Sequence, residues 1–200
     1  MKITNILLSC AAFAALSATA SAALMTYTQT GFLSGSLDGT SFTDAAVTLR
    51  VTADTANVNY AELNGGLMPV WTNAGVTTID IVGFETATFN GSNVFGAFSL
   101  NLSALLPGTA GVGIGNLTTF WSILGTSQTA ELNYALATAT TFTGAATNSN
   151  GTYSTTLGDL ITTGKTGNAT FTAAAVPEPS AFALLGLGTV GLVARRRRVA

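Results

Sequence analysis

"AAVTLRVTA", residues 45–53, alternates apolar and polar side chains from Val47 onward. Val47, Leu49 and Val51 fall on one side and Thr48, Arg50 and Thr52 on the other, the period of two that a half-buried β-strand imposes. The β-branched Val47, Thr48, Val51 and Thr52 favour the same choice, because such side chains pack well on a pleated surface. The pattern recurs along the chain. "TTIDIVGFE" (77–85), "NVFGAFSL" (93–100), "TTFWSIL" (118–124), "ELNYALAT" (131–138) and "NATFTAAAV" (168–176) all read as strands. In 131–138 the alternation sets Leu132, Tyr134 and Leu136 against Asn133 and Ala135. Between these runs lie turn signals: "LDGTS" (37–41), "NGG" (64–66), "FNGSN" (89–93), "LPGTAG" (106–111) and "TNSNG" (147–151). Short strands at regular spacing predict an all-β fold, a β-sandwich or jelly-roll-like ectodomain over residues 23–175. "SALLPG" (103–108) predicts one short helical turn, and "AGVGIGN" (110–116), with Gly111, Gly113 and Gly115, predicts a loop.

Composition narrows the chemistry. Only 8% of the 200 residues are charged, against roughly 25% in an ordinary soluble protein. Between Ala23 and Val176 the basic residues are Arg50 and Lys165, and the acids are Asp38, Asp44, Asp54, Glu62, Asp80, Glu85, Glu131 and Asp159. Two minus eight leaves this region at −6, which argues against nucleic acid as a partner. The chain has no histidine, and its one cysteine, Cys10, sits in the first 22 residues. Ser–His–Asp and Cys–His catalysis and the usual zinc ligand sets therefore find no residues in the exported part. No catalytic residue, cofactor or metal is expected.

Four features remain as candidates. Glu62, Glu85 and Glu131 could supply a carboxylate pair for glycoside cleavage, but their spacing brings no two together. Asp38, Asp44 and Asp54 form no D-x-D-x-D calcium loop. Trp71 and Trp121 read as core residues, with exposed sugar-stacking platforms as the alternative. The glycines of 110–116 have the wrong spacing for a dinucleotide fingerprint.

Both ends carry targeting information. Residues 1–22 hold an early Lys2, an apolar run from Ile6 to Leu16, and small residues ending in Ala20-Ser21-Ala22. This is a signal peptide with an A-x-A cleavage pattern, placing the new N-terminus at Ala23. At the other end, Ala181 to Ala194 is an uncharged run followed by Arg195, Arg196, Arg197 and Arg198. As a helix it would span about 21 Å, short of the roughly 30 Å hydrocarbon core. The arginines compensate, because they resist translocation and hold that end in the cytoplasm. Residues 176–200 thus act as a stop-transfer segment with a transmembrane helix at 181–194. Pro177 and Pro179 keep the chain before it extended, a form that a membrane protease can bind.

Val176-Pro177-Glu178-Pro179-Ser180, the Gly-rich apolar run and Arg195–Arg198, in that order, closely resemble the PEP-CTERM sorting signal of Gram-negative bacteria. The resemblance implies recognition by exosortase, a multi-pass membrane protease with a cysteine nucleophile. It also implies processing near Pro-Glu-Pro and delivery to the cell surface or extracellular matrix, commonly in makers of exopolysaccharide. On this resemblance the chain is a substrate and not an enzyme. Its implied partners are the export translocon, the inner membrane until processing, exosortase, and exopolysaccharide outside. Residues 26–57 also look like the opening of many proteins that bear this tail, whose ectodomains have no assigned activity. The expected role is structural or interactive, in biofilm matrix or envelope. A carbohydrate-binding module is the alternative, with a carboxylate-dependent glycoside hydrolase behind it.

Overall fold

The computed structural model of the chain describes residues 23–90, 95–105, 110–118, 121–128 and 132–177. The signal segment 1–22 and the expected membrane helix 181–194 lie outside the described residues, as do Glu131 and the Trp121 side chain. No described helix is long and apolar enough to cross a membrane.

The described residues are all-β. In chain order the strands are β1 Leu24–Leu37, β2 Thr40–Asp54, β3 Asn59–Leu63, β4 Met68–Ala74, β5 Val76–Ile81, β6 Ala87–Thr88 and β7 Phe95–Asn101. They continue with β8 Ala110–Asn116, β9 Trp121–Gln128, β10 Thr140–Thr147, β11 Gly151–Thr155 and β12 Gly158–Ala175. All pair antiparallel in one 12-stranded sheet of order β3-β4-β7-β8-β9-β10-β12-β1-β2-β5-β6, with β11 on β12. Residues 45–53 lie in β2, where Val47, Leu49 and Val51 are buried and Arg50 and Thr52 exposed.

The sequence predicts antiparallel layers on a shared core, and the shared core is present. The layers, however, belong to one continuous, unclosed sheet. β10 makes the junction: Thr140–Ala145 pair with β12, and Ala146 and Thr147 pair with β9. Tyr27, Leu49, Ile79 and Phe171 from one half pack in the same cluster as Ala97, Val112, Ile114 and Leu124 from the other. Two buried polar links tie the halves. Tyr27 Oη accepts from Asn73 Nδ2 at 2.9 Å and donates to the Leu136 carbonyl at 2.6 Å. Gln29 Nε2 donates to Thr126 Oγ1 at 2.8 Å. Such links fix how the halves meet, because a misplaced partner would leave a buried polar group unpaired.

Two local predictions need correction. "AGVGIGN" is no loop but β8, an interior strand between β7 and β9. Val112 and Ile114 enter the core while the glycines line the other face. Glycines every second residue hide a strand, because only half of its side chains can report the period. "ELNYALAT" shows the opposite error. Leu132, Tyr134 and Leu136 are buried and Asn133 and Ala135 exposed, as alternation predicts, yet residues 132–139 form no strand. Leu136 has φ +57°, and its carbonyl is taken by Tyr27 from the core side. The alternation recorded burial of an extended loop, not pairing. At "SALLPG" a turn closes through Leu105 N–H to the Leu102 carbonyl, and residues 106–109 lie outside the described residues.

The buried tyrosines set an alkaline limit on this fold. Burial raises the pKa of Tyr27, Tyr134 and Tyr153 above the ordinary value near 10. A raised folded-state pKa contributes stability that is complete below the unfolded value and is lost as pH climbs towards the folded one. The melting temperature should hold steady up to about pH 10 and then fall as pH rises further. A melting curve that stays level into that range would show that these phenols are not buried together.

Candidate functional site

The candidate site begins where the sheet ends. β12 pairs with β1 as far as Ala175, opposite Met25. The Val176 N–H then donates to the Leu24 carbonyl at 2.8 Å. Pro177, with no N–H to give, is exposed and leaves the ladder. The chain therefore departs one residue past the last backbone bond of its longest strand. The entry point lies alongside. Ala23 N–H donates to Thr55 Oγ1 at 3.0 Å, and Thr55 N–H returns a bond to the Ala23 carbonyl at 3.0 Å. Ala23 and Val176 thus flank the same end of adjacent strands. Ala20 and Ala22, Glu178, Pro179, Ser180 and Arg195–Arg198 lie outside the described residues.

The acids are spread over the surface. Asp80 pairs with Arg50 across β5 and β2 and also accepts from Thr86. The Thr86 hydroxyl and then Arg50 hold the Asp80 carboxyl below its usual range. Asp54 caps the short 3-10 turn Thr55–Asn57 by accepting from Ala56 N–H. Asp44 accepts from Thr166 Oγ1 at 3.0 Å. Asp38 supplies, with Gly39, the two positive-φ positions of the β1–β2 turn, as "LDGTS" predicts. Its N–H donates to the Asp159 carbonyl, so two exposed acids neighbour each other at hairpin tips. Glu85 is exposed. Among the described residues no three of His, Cys, Asp and Glu gather to hold a metal.

The β3–β4 hairpin, at one end of the strand order, holds the remaining chemistry. On one face Tyr60 and Trp71 are direct cross-strand partners with ring centroids 5.1 Å apart. Trp71 packs on the core, as the first of its two readings has it, while Tyr60 covers it and is 48% exposed. Tyr60 Oη donates to Glu62 Oε1 at 2.6 Å, and that bond raises the phenol's pKa. The opposite face lines a groove of about 320 Å3 with Asn59 and Ala61 of β3 and Val70, Thr72 and Ala74 of β4. Asn57 closes one side, and Leu117 and Thr118, beyond β8, add to the wall. None of these groove residues stands out in so Asn- and Thr-rich a sequence. Only the strand pairing brings them together.

The family model of the PEP-CTERM protein-sorting motif matches residues 175–198. Its first residue, Ala175, is the last residue of β12. No curated protein and no solved structure matches the chain. The chain thus carries a PEP-CTERM motif at its C-terminus, the mark of an exported protein sorted to the surface through exosortase.

Proposed function

We propose that residues 23–175 form a sandwich-like ectodomain delivered by this tail to the cell surface or extracellular matrix. There it acts by structure or interaction in the biofilm or envelope. One observation carries the reading: the sorting motif starts at Ala175, the residue at which β12 ends. The start agrees with it, because the sheet begins at Leu24, one residue past the bond predicted for signal cleavage. In this reading the chain passes the translocon and pauses in the inner membrane by 181–194 and Arg195–Arg198. Exosortase then acts near Val176-Pro177-Glu178-Pro179-Ser180. With no histidine, and with Cys10 in the leader, this reading assigns the domain no His- or Cys-dependent catalysis.

The intact mass of protein released from the surface of the producing bacterium tests this. It should correspond to a chain that begins at Ala23 and lacks Arg195–Arg198. Surface protein that retains the four arginines would reduce the tail to a plain membrane anchor.

A second reading, a carbohydrate-binding module, is favoured by the β3–β4 hairpin. Its outer face carries a groove of amides, hydroxyls and apolar side chains without ionisable residues.

A further inference from the structure

The groove on the β3–β4 hairpin has a chemistry of its own. Asn59 faces Thr72 and Ala61 faces Val70 in the strand register, so these four side chains share one face. Asn57, Thr118, Ala74 and Leu117 complete the lining. Nothing in it can carry charge at any ordinary pH. Two amides and two hydroxyls offer both donors and acceptors over an apolar floor. The side chains of Asn57, Asn59, Thr72 and Thr118 make no hydrogen bond among the described residues. Asn57, Asn59 and Thr118 are exposed and Thr72 is half-buried, so their donors and acceptors face solvent above apolar walls, an arrangement that small-molecule sites share. Its volume of about 320 Å3 lies at the small end of such sites.

We infer that this groove binds a neutral sugar unit, one or two rings of an uncharged polysaccharide. An anionic ligand would find no cation there: the basic residues of the described region are Arg50, which is paired with Asp80, and Lys165 on β12. A purely apolar ligand would leave the amides and hydroxyls desolvated and unpaired. A sugar meets both demands, with hydroxyls for the polar groups and C–H faces for Val70, Ala61, Ala74 and Leu117. The choice of a glycan among neutral polar ligands rests on the surface role proposed above. Position supports it as well. Asn57 belongs to the 3-10 turn whose first residue, Thr55, is bonded to Ala23, and Ala23 lies next to the exit of the tail. The groove therefore sits at the end of the domain from which the tail departs, so a bound polymer would be held beside the processed terminus.

The test uses the full chain in a zwitterionic detergent without a sugar headgroup, titrated with neutral hexose oligosaccharides and, separately, with uronic-acid oligosaccharides. The neutral series should bind saturably and change little with salt, and any uronic-acid binding that Arg195–Arg198 supply should be screened by salt and unchanged in Ala61→Phe. Thr72→Val keeps the β-branched shape and removes one hydroxyl, which should weaken binding about three- to tenfold. Ala61→Phe fills the groove and should abolish binding, while its melting transition shows that the fold is kept. Tyr60→Ala, on the other face of the same hairpin, should bind as the parent does. Loss of binding in Tyr60→Ala with full binding in Ala61→Phe would overturn the proposal and move the site to the aromatic pair. Salt-sensitive binding of the uronic series alone, or no binding of any neutral oligosaccharide, would overturn it too. Because binding is measured on unprocessed chain, a failure of the sorting reading leaves this result unaffected, and the reverse also holds.

Discussion

A chain with Ser in place of Arg195, Arg196, Arg197 and Arg198 should accumulate in the periplasm with its tail uncut. The apolar run Ala181–Ala194 would span about 21 Å as a helix, too little to anchor by hydrophobicity alone against a hydrocarbon core of roughly 30 Å. The arginines supply what length does not, because each resists transfer through the membrane. Without them the run should slip through with the ectodomain, and the protease would meet no membrane-held substrate. A companion variant, Pro177→Ala with Glu178→Ala and Pro179→Ala, keeps the run and the charges. It should remain in the inner membrane at full length, since the prolines no longer keep the recognition segment extended. The structure sharpens the comparison. Pro177 is exposed and lies beyond the last ladder bond, from Val176 to Leu24, so its replacement takes no backbone bond from the sheet. Both should melt as the parent does. Fractionation with intact-mass measurement separates the outcomes. If both variants reach the surface correctly trimmed, residues 176–200 are not the sorting signal.

The same geometry joins the start of the sheet to its end. Val176 is tied to Leu24, and Leu24 follows the residue at which signal cleavage is predicted. Both ends of the exported domain therefore meet in one strand pair, β1 with β12, whose register runs from Met25 opposite Ala175 to Leu37 opposite Leu160. A chain whose β1 has not yet emerged cannot complete β12, so the final stretch before Pro177 is ordered only after the N-terminal strand is in place. Antiparallel pairing across this sequence distance closes late, after the local hairpins β1–β2, β3–β4 and β7–β8.

How far the fold could be read depends on what each residue contributes. β2 was legible because Val47, Leu49 and Val51 put large side chains on one face and Thr48, Arg50 and Thr52 put polar ones on the other. β8 was not, since Gly111, Gly113 and Gly115 contribute no side chain to one face and glycine normally signals a turn. Leu132, Tyr134 and Leu136 misled in the other sense: they are buried in alternation, but the neighbouring strands are already paired elsewhere. The joining of both layers into one sheet depends on β10 changing partners between Ala145 and Ala146, which no local pattern records. The sorting motif was legible because it lies in consecutive residues, 175–198. The groove was not, because Asn57, Thr72 and Thr118 come together only through the β3–β4 pairing and the chain that follows β8.

Strand β8 carries a large stability effect for a single exchange. Gly113 lies opposite Phe98 on β7 and opposite Gly125 on β9. A Cβ at Gly113 would stand 2.7 Å from Gly125 Cα, 2.8 Å from the Leu124 carbonyl oxygen and 3.2 Å from Phe98 Cζ. The first two are backbone atoms of a paired strand, so they cannot turn aside as a side chain could. Gly113→Val should therefore destabilise the domain by about 3 kcal/mol, at the upper end of ordinary overpacking. For a domain of this size that is a fall of roughly 6–12 °C in melting temperature. By local propensity the outcome should be the reverse, because valine is a far better strand former than glycine. Gly164 on β12 provides the control: a Cβ there meets nothing within 4 Å, and its φ is not in the left-handed region. Gly164→Thr should be neutral or stabilise by a few tenths of a kcal/mol up to about 1 kcal/mol, by restricting the unfolded chain. Thermal melts of both variants beside the parent decide the matter. A Gly113→Val protein as stable as Gly164→Thr would mean that residues 110–116 are the loop that their glycines first suggested, and that β7 and β9 do not sandwich them.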